Sequence, residues 1–178
     1  MPKPDLRARG AEIAQAIEQA VAHLRAGRLA DADKICARVL KARPDYFDAL
    51  HLSGMIKLES GRAGAGLALI EAALKINPNV PQALGNLGLA LAKLERDQDA
   101  LAAIDKALAL EPGHFPALNN RGNVLLKLSR PAEALAAFEQ AAPLATTCVT
   151  PSTRASRLVN AGGTSTTTLA PARASSAA

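Results

Sequence analysis

The sequence predicts an all-α fold, an α-solenoid of about four helix-turn-helix repeats. Three observations carry this. Pro44, Pro78 and Pro112 stand 34 residues apart, and a fixed period of that size marks stacked supersecondary units. Small residues recur in register with those prolines, as Ala20, Gly54, Gly88 and Gly122 at one place and Ala32, Gly66, Ala100 and Ala134 at another. Aromatic residues are 2% of the chain while hydrophobic ones are 49%, a balance that suits close-packed helices over sheets.

Taken in order, residues 1–11 hold Pro2, Pro4 and Gly10 and read as a flexible leader. The array is expected over 12–145, in repeats 13–46, 47–80, 81–114 and 115–145, with the recurring proline at position 32 of each. Helices are expected at about 12–26 and 29–42, 46–60 and 62–76, 80–94 and 97–110, and 114–128 and 131–143. Gly27 and Gly61 fill position 15, where a left-handed residue ends a helix cheaply. Glu95 and Ser129 replace them later, which predicts a different closure of those turns. Arg28, Arg62, Arg96 and Arg130 follow at position 16. Proline at 32 stops the second helix because it cannot continue the hydrogen-bond ladder.

The packing pattern is explicit. Position 27 is Val39, Ala73, Ala107 and Ala141, so the small residues at 8, 20 and 27 let paired helices approach closely. Larger side chains fill the space between: Leu50, Leu84 and Leu118 at position 4; Cys36, Ile70, Ile104 and Phe138 at 24; Leu40, Leu74 and Leu108 at 28. Neither helix of a pair buries its stripe alone, whereas stacked pairs build a continuous core. Leu84–Pro112 is the best-formed unit. Repeat 1 has Gln19 and Ala20 at positions 7 and 8, and repeat 4 loses the pattern at Ala142, Pro143 and Thr146. Residues 146–178 are rich in Ser, Thr, Ala, Gly and Pro, lack acids, and read as a low-complexity, disordered tail. A frame change after Ala142 is the other reading of that tail, because its threonine codons shifted by one base encode His, Asp, Asn or Tyr.

These residues resemble the tetratricopeptide-repeat (TPR) family, which has leucine at position 4, glycine at 8, alanine at 20, a small residue at 27 and proline at 32. The match is strongest in ALGNLGLAL, ALNNRGNVL and AEALAAFEQA, and the LxNLGxAL and ALNNRGN text is most similar to repeats of O-linked N-acetylglucosamine transferase-like TPR proteins. The resemblance implies a right-handed superhelix with a concave groove lined by helix A positions 2, 5, 6, 9, 12 and 13. Carried over, it places Asp48, His51, Leu52 and Met55 from repeat 2 in the groove, and Gln82, Asn86, Leu89 and Lys93 from repeat 3. Repeat 4 adds Asn119, Asn120, Asn123 and Lys127. Asn86 and Asn120 share position 6, and an amide carries both a donor and an acceptor for a peptide backbone. A carboxylate clamp fits poorly, since repeats 1 and 2 put Ile17, Val21, His51 and Met55 at positions 5 and 9.

Other classes are disfavoured. The net charge is +5, but residues 1–12 account for +1 and 146–178 for +3. The repeats are nearly neutral, so they lack the basic stripe of a nucleic-acid binder. Cys36 and Cys148 form neither a disulfide framework nor a metal spacing, and suit a reducing, cytoplasmic setting. No stretch is long and apolar enough for a membrane span. Gly61, Gly64 and Gly66 are not preceded by a strand or followed by a Lys-Ser/Thr pair, so they read as turn and packing residues rather than a phosphate loop. His23, His51 and His114 are scattered, and Ser53 lies two residues from His51 on one helix and so faces elsewhere. The expectation is a non-enzyme with no cofactor and no metal, partnered by a protein or peptide. Two further readings stay open: the substrate-recruiting part of an O-linked N-acetylglucosamine transferase-like enzyme, and a homo-oligomer formed through the uncapped C-terminal repeat, where Leu135 and Phe138 lack cover.

Overall fold

Residues 6–147 are described by the structure, a computed structural model, with side chains described over 10–142. Eight helices and no strand occur among the described residues: α1 Leu6–Arg25, α2 Leu29–Ala42, α3 Phe47–Glu59, α4 Ala63–Ile76, α5 Pro81–Lys93, α6 Asp97–Leu110, α7 Phe115–Lys127 and α8 Pro131–Thr147. Each of α1 to α7 packs on its neighbours in the chain. The first helices of successive repeats, α1, α3, α5 and α7, also touch one another in sequence. This is the solenoid that the period predicts.

The spacing of the helix pairs has a steric cause. A Cβ on Gly54 would lie 2.6 Å from Ile70 Cγ1, and one on Gly66 would lie 2.9 Å from the Gly54 carbonyl. Gly88 meets Ile104 and Gly122 meets Phe138 in the same way. Position 8 is therefore the seat for the large side chain at position 24, with no room for a methyl group. Repeat 1 solves the same problem with different volumes. Its position 8 carries a methyl, Ala20, and its position 24 shrinks to Cys36; both are fully buried. Burial pushes the Cys36 thiol pKa up, and a hydrogen bond with Ser53 partly opposes this.

The turns at Glu95 and Ser129 correct the sequence expectation. Gly27 and Gly61 are left-handed, with φ of 72° and 74°, and so are Glu95 and Ser129, with φ of 60° and 59°. All four turns close alike. The N–H of the following arginine bonds the carbonyl five residues back: Arg28 to His23, Arg62 to Lys57, Arg96 to Leu91 and Arg130 to Leu125. Holding a non-glycine residue there costs about 1 kcal/mol, and the repeated helix packing imposes it.

Two helix ends also differ from expectation. α1 begins at Leu6, so residues 6–11 of the expected leader are helical. Past Pro4 nothing but Gly10 opposes a helix, and a glycine interior costs only about 1 kcal/mol. α8 continues through Pro143 to Thr147, forgoing the one bond that a proline cannot donate. The rest of the low-complexity tail, with its frame-change reading, lies outside the described residues.

Candidate functional site

The first helices of the repeats place two hollows on the face where the groove is expected. The upstream hollow, about 320 Å³, lies between α1 and α3 and is lined by Ile17, Val21, Leu24, Arg25, Asp48, His51, Leu52 and Met55. The downstream hollow, about 200 Å³, lies between α5 and α7 and is lined by Leu89, Ala92, Lys93, Asn120, Asn123, Val124 and Lys127. Both have aliphatic floors. Helical spacing makes this arrangement: residues three and four apart share a face, so one stripe of each helix looks inward to the core and the next stripe looks into the hollow.

Between the hollows stands a polar pair. Asn86 Nδ2 lies 2.9 Å from His51 Nε2. His51 lines the upstream hollow, and Leu89, one helical turn past Asn86, lines the downstream one. Burial lowers the pKa of His51, and the nearby Asp48 carboxylate works in the opposite direction. The Phe47 ring stacks near it at 5.8 Å between centroids. Neutral His51 accepts the Asn86 amide hydrogen on Nε2, so it carries its own proton on Nδ1.

The expected groove residues divide by what they touch. Asp48, His51, Leu52 and Met55 meet in the upstream hollow, but Leu52 is 5% exposed and packs with Ile35, Cys36 and Ile56. It is floor rather than contact surface. Leu89, Lys93, Asn120, Asn123 and Lys127 meet downstream. The Lys127 ammonium is tied back to the frame, at 2.7 Å from the Ala92 carbonyl and 3.5 Å from Asp97 Oδ1. Gln82 and Asn119 are exposed and line neither hollow. Sequence reasoning left out Leu24, Arg25, Ala92 and Val124, and it treated Ile17 and Val21 only as departures from a clamp. The same positional rule finds all of them but Val124, at 5, 9, 12 and 13 of repeat 1 and at 12 of repeat 3; Val124 is at position 10, outside the rule.

No group of three or more His, Cys, Asp and Glu side chains among the described residues is placed to hold a metal ion. Among the described residues no helix is long and apolar enough to cross a membrane.

The profile of the tetratricopeptide repeat family matches residues 17–79, 51–115 and 98–147. The chain belongs to the tetratricopeptide repeat family. No curated protein matches the sequence. Among solved structures, MamA from Desulfovibrio magneticus RS-1 superposes with a TM-score of 0.66 at 22% identity, over 78% of this chain and 78% of that one. The pilF protein of Pseudomonas aeruginosa gives 0.70 at 22% identity, over 77% of this chain and 63% of that one. A mutant of Thermobaculum terrenum O-GlcNAc transferase gives 0.65 at 27% identity; the match takes 70% of this chain but 23% of that one. Tetratricopeptide repeats build protein-interaction scaffolds, and the helix pairs described above are such repeats.

Proposed function

We propose that this chain is a non-catalytic scaffold whose inner face binds an extended peptide or protein segment, needing no cofactor. The observation that supports the reading is the downstream hollow, where Leu89, Ala92 and Val124 form an aliphatic floor beneath the amides of Asn120 and Asn123. An apolar floor takes a side chain, while amides at the rim satisfy backbone N–H and C=O groups without demanding a particular sequence. Upstream, Ile17, Val21, Leu24 and Met55 offer a second aliphatic seat, with Arg25 and Asp48 beside it. The Asn86–His51 pair divides the two seats. The test is selection from a displayed library of unstructured peptides. Peptides recovered by the chain lose about tenfold in affinity to Asn120→Ala/Asn123→Ala and none to Asn119→Ala. Equal binding by both variants removes the assignment.

The second reading rests on the transferase match, whose identity is higher than that of the other two structures described. In that reading the repeats recruit substrates for a glycosyltransferase. A glycosyltransferase reading frame adjoining the gene supports it; the lack of one removes it.

A further inference from the structure

The two ends of the array are chemically unlike. At the N-terminal end the outward positions 3, 7 and 10 of α1 are Gln15, Gln19 and Ala22, all exposed. In later repeats position 3 is Ala49, Ala83 and Ala117 and position 10 is Ile56, Ala90 and Val124, all buried, while position 7 is Ser53, Leu87 and Arg121. The N-terminal end therefore carries an exposed glutamine, Gln15, where the later repeats bury an alanine.

Among the described residues, the C-terminal end keeps the apolar pattern without a cover. Leu101 on α6 is 7% exposed, in one core cluster with Val124 and Leu125 of α7; its equivalent on α8, Leu135, is 59% exposed. Leu58 on α3 is 3% exposed, clustered with Ala90 of the next repeat; its equivalent on α7, Leu126, is 52% exposed. Charge repeats the point. Asp105 on α6 takes Arg121 Nε of α7 at 2.8 Å, and Glu139 holds the position of Asp105 on α8, exposed to solvent.

We propose that the α7–α8 end docks an amphipathic helix of a partner protein, one with a small residue, a basic residue four places on, and aliphatic residues three and four beyond that. The pattern is that of Ala117, Arg121, Val124 and Leu125, the side chains that cover α6 one repeat earlier. The small residue permits close approach, the aliphatic pair covers Leu126 and Leu135, and the basic residue meets Glu139. A second copy fits less well in either orientation. Stacked head to tail it brings Ala22 and His23, in place of Val124 and Leu125, to Leu135 and uncharged Gln19, in place of Arg121, to Glu139. Joined about a twofold axis it puts two Glu139 carboxylates on one shared face. The inference is independent of what the inner hollows bind.

The probe is a spin-labelled peptide of residues 113–130 of this chain, added to the full chain with its leucine methyl groups observed by NMR. The expected result is broadening of the Leu126 and Leu135 methyls. An Arg121→Glu peptide binds about tenfold more weakly, and Glu139→Arg in the full chain regains that loss. Equal binding of the two peptides, or broadening centred on the inner hollows, overturns the proposal. So does a chain that already sediments as a dimer and becomes monomeric on Leu135→Lys, because the face then belongs to a second copy. Circular dichroism of Glu139→Arg and Leu135→Lys verifies that these exposed changes leave the fold intact.

Discussion

The upstream and downstream hollows sit at equivalent places, two repeats apart, and differ in the chemistry of one wall. Their first helices are alike, with Val21, Leu24 and Arg25 on α1 and Leu89, Ala92 and Lys93 on α5. The second helix brings Asp48, His51, Leu52 and Met55 from α3 upstream, but Asn120, Asn123, Val124 and Lys127 from α7 downstream. Upstream, His51 is already engaged, bonded to Asn86. Downstream, Asn120 and Asn123 stand at the rim of the hollow. Positions 8, 20 and 24 meanwhile obey one volume rule in every repeat. The frame is thus set by one group of positions and the lining of the hollows by another, so the lining varies without disturbing the stack.

The frame is where this contrast breaks most severely. Gly88→Ala drives a methyl into Ile104 with the Ala100 carbonyl only 3.1 Å away, and it lowers unfolding stability by about 2–3 kcal/mol. Chemical denaturation measures this. Ala20→Gly in repeat 1 relieves no clash and costs about 1 kcal/mol, mainly through helix propensity. If the two substitutions cost the same, the volume rule linking Ala20 with Cys36 and Gly88 with Ile104 fails.

A smaller effect of opposite sign is expected at the turn beside the downstream hollow. Glu95→Gly relieves a left-handed glutamate and raises stability by about 1 kcal/mol. Gly61→Ala in the corresponding turn of repeat 2 lowers it by a similar amount. A neutral or destabilising Glu95→Gly contradicts the account of how these turns close.

The smallest effect sharpens the upstream side. His51 is held neutral by burial, so the unfolded chain binds a proton at a higher pH than the folded one. Its contribution to stability is therefore present above the ordinary histidine range, near pH 6.5, and is lost as pH falls toward its lowered folded value. Removing the donor with Asn86→Ala takes away a bond that favours the neutral ring, so the His51 pKa rises. Imidazole NMR titration reads both; a folded His51 titrating above 6.5 contradicts the pair as described.

Much of the fold was legible because its signals are local in sequence and repeated. Pro44, Pro78 and Pro112 set the register, and the small residues at 8, 20 and 27 supplied the faces. The closure at Glu95 and Ser129 was not legible, since residue preference disfavours φ near 60° there and the packing of the flanking helices overrides it. The positions implied by the family resemblance pointed to Asn120, Asn123 and Leu89, which line the downstream hollow. The role of Asn86 was not legible, because its partner His51 lies 35 residues away and no spacing rule links positions 5 and 6 of adjacent repeats. Ile17, Val21, Leu24 and Arg25 were passed over because Ala20 made repeat 1 look degenerate, when Cys36 compensates for it.

The central claim is that the downstream rim, not the frame, supplies ligand contacts. Isothermal titration of one library-selected peptide against the native chain, Asn120→Ala/Asn123→Ala and Asn119→Ala tests it most directly. The account predicts about a tenfold loss for the double variant, no change for Asn119→Ala, and unaltered thermal unfolding for both. Undiminished binding by the double variant, with its fold intact, contradicts it.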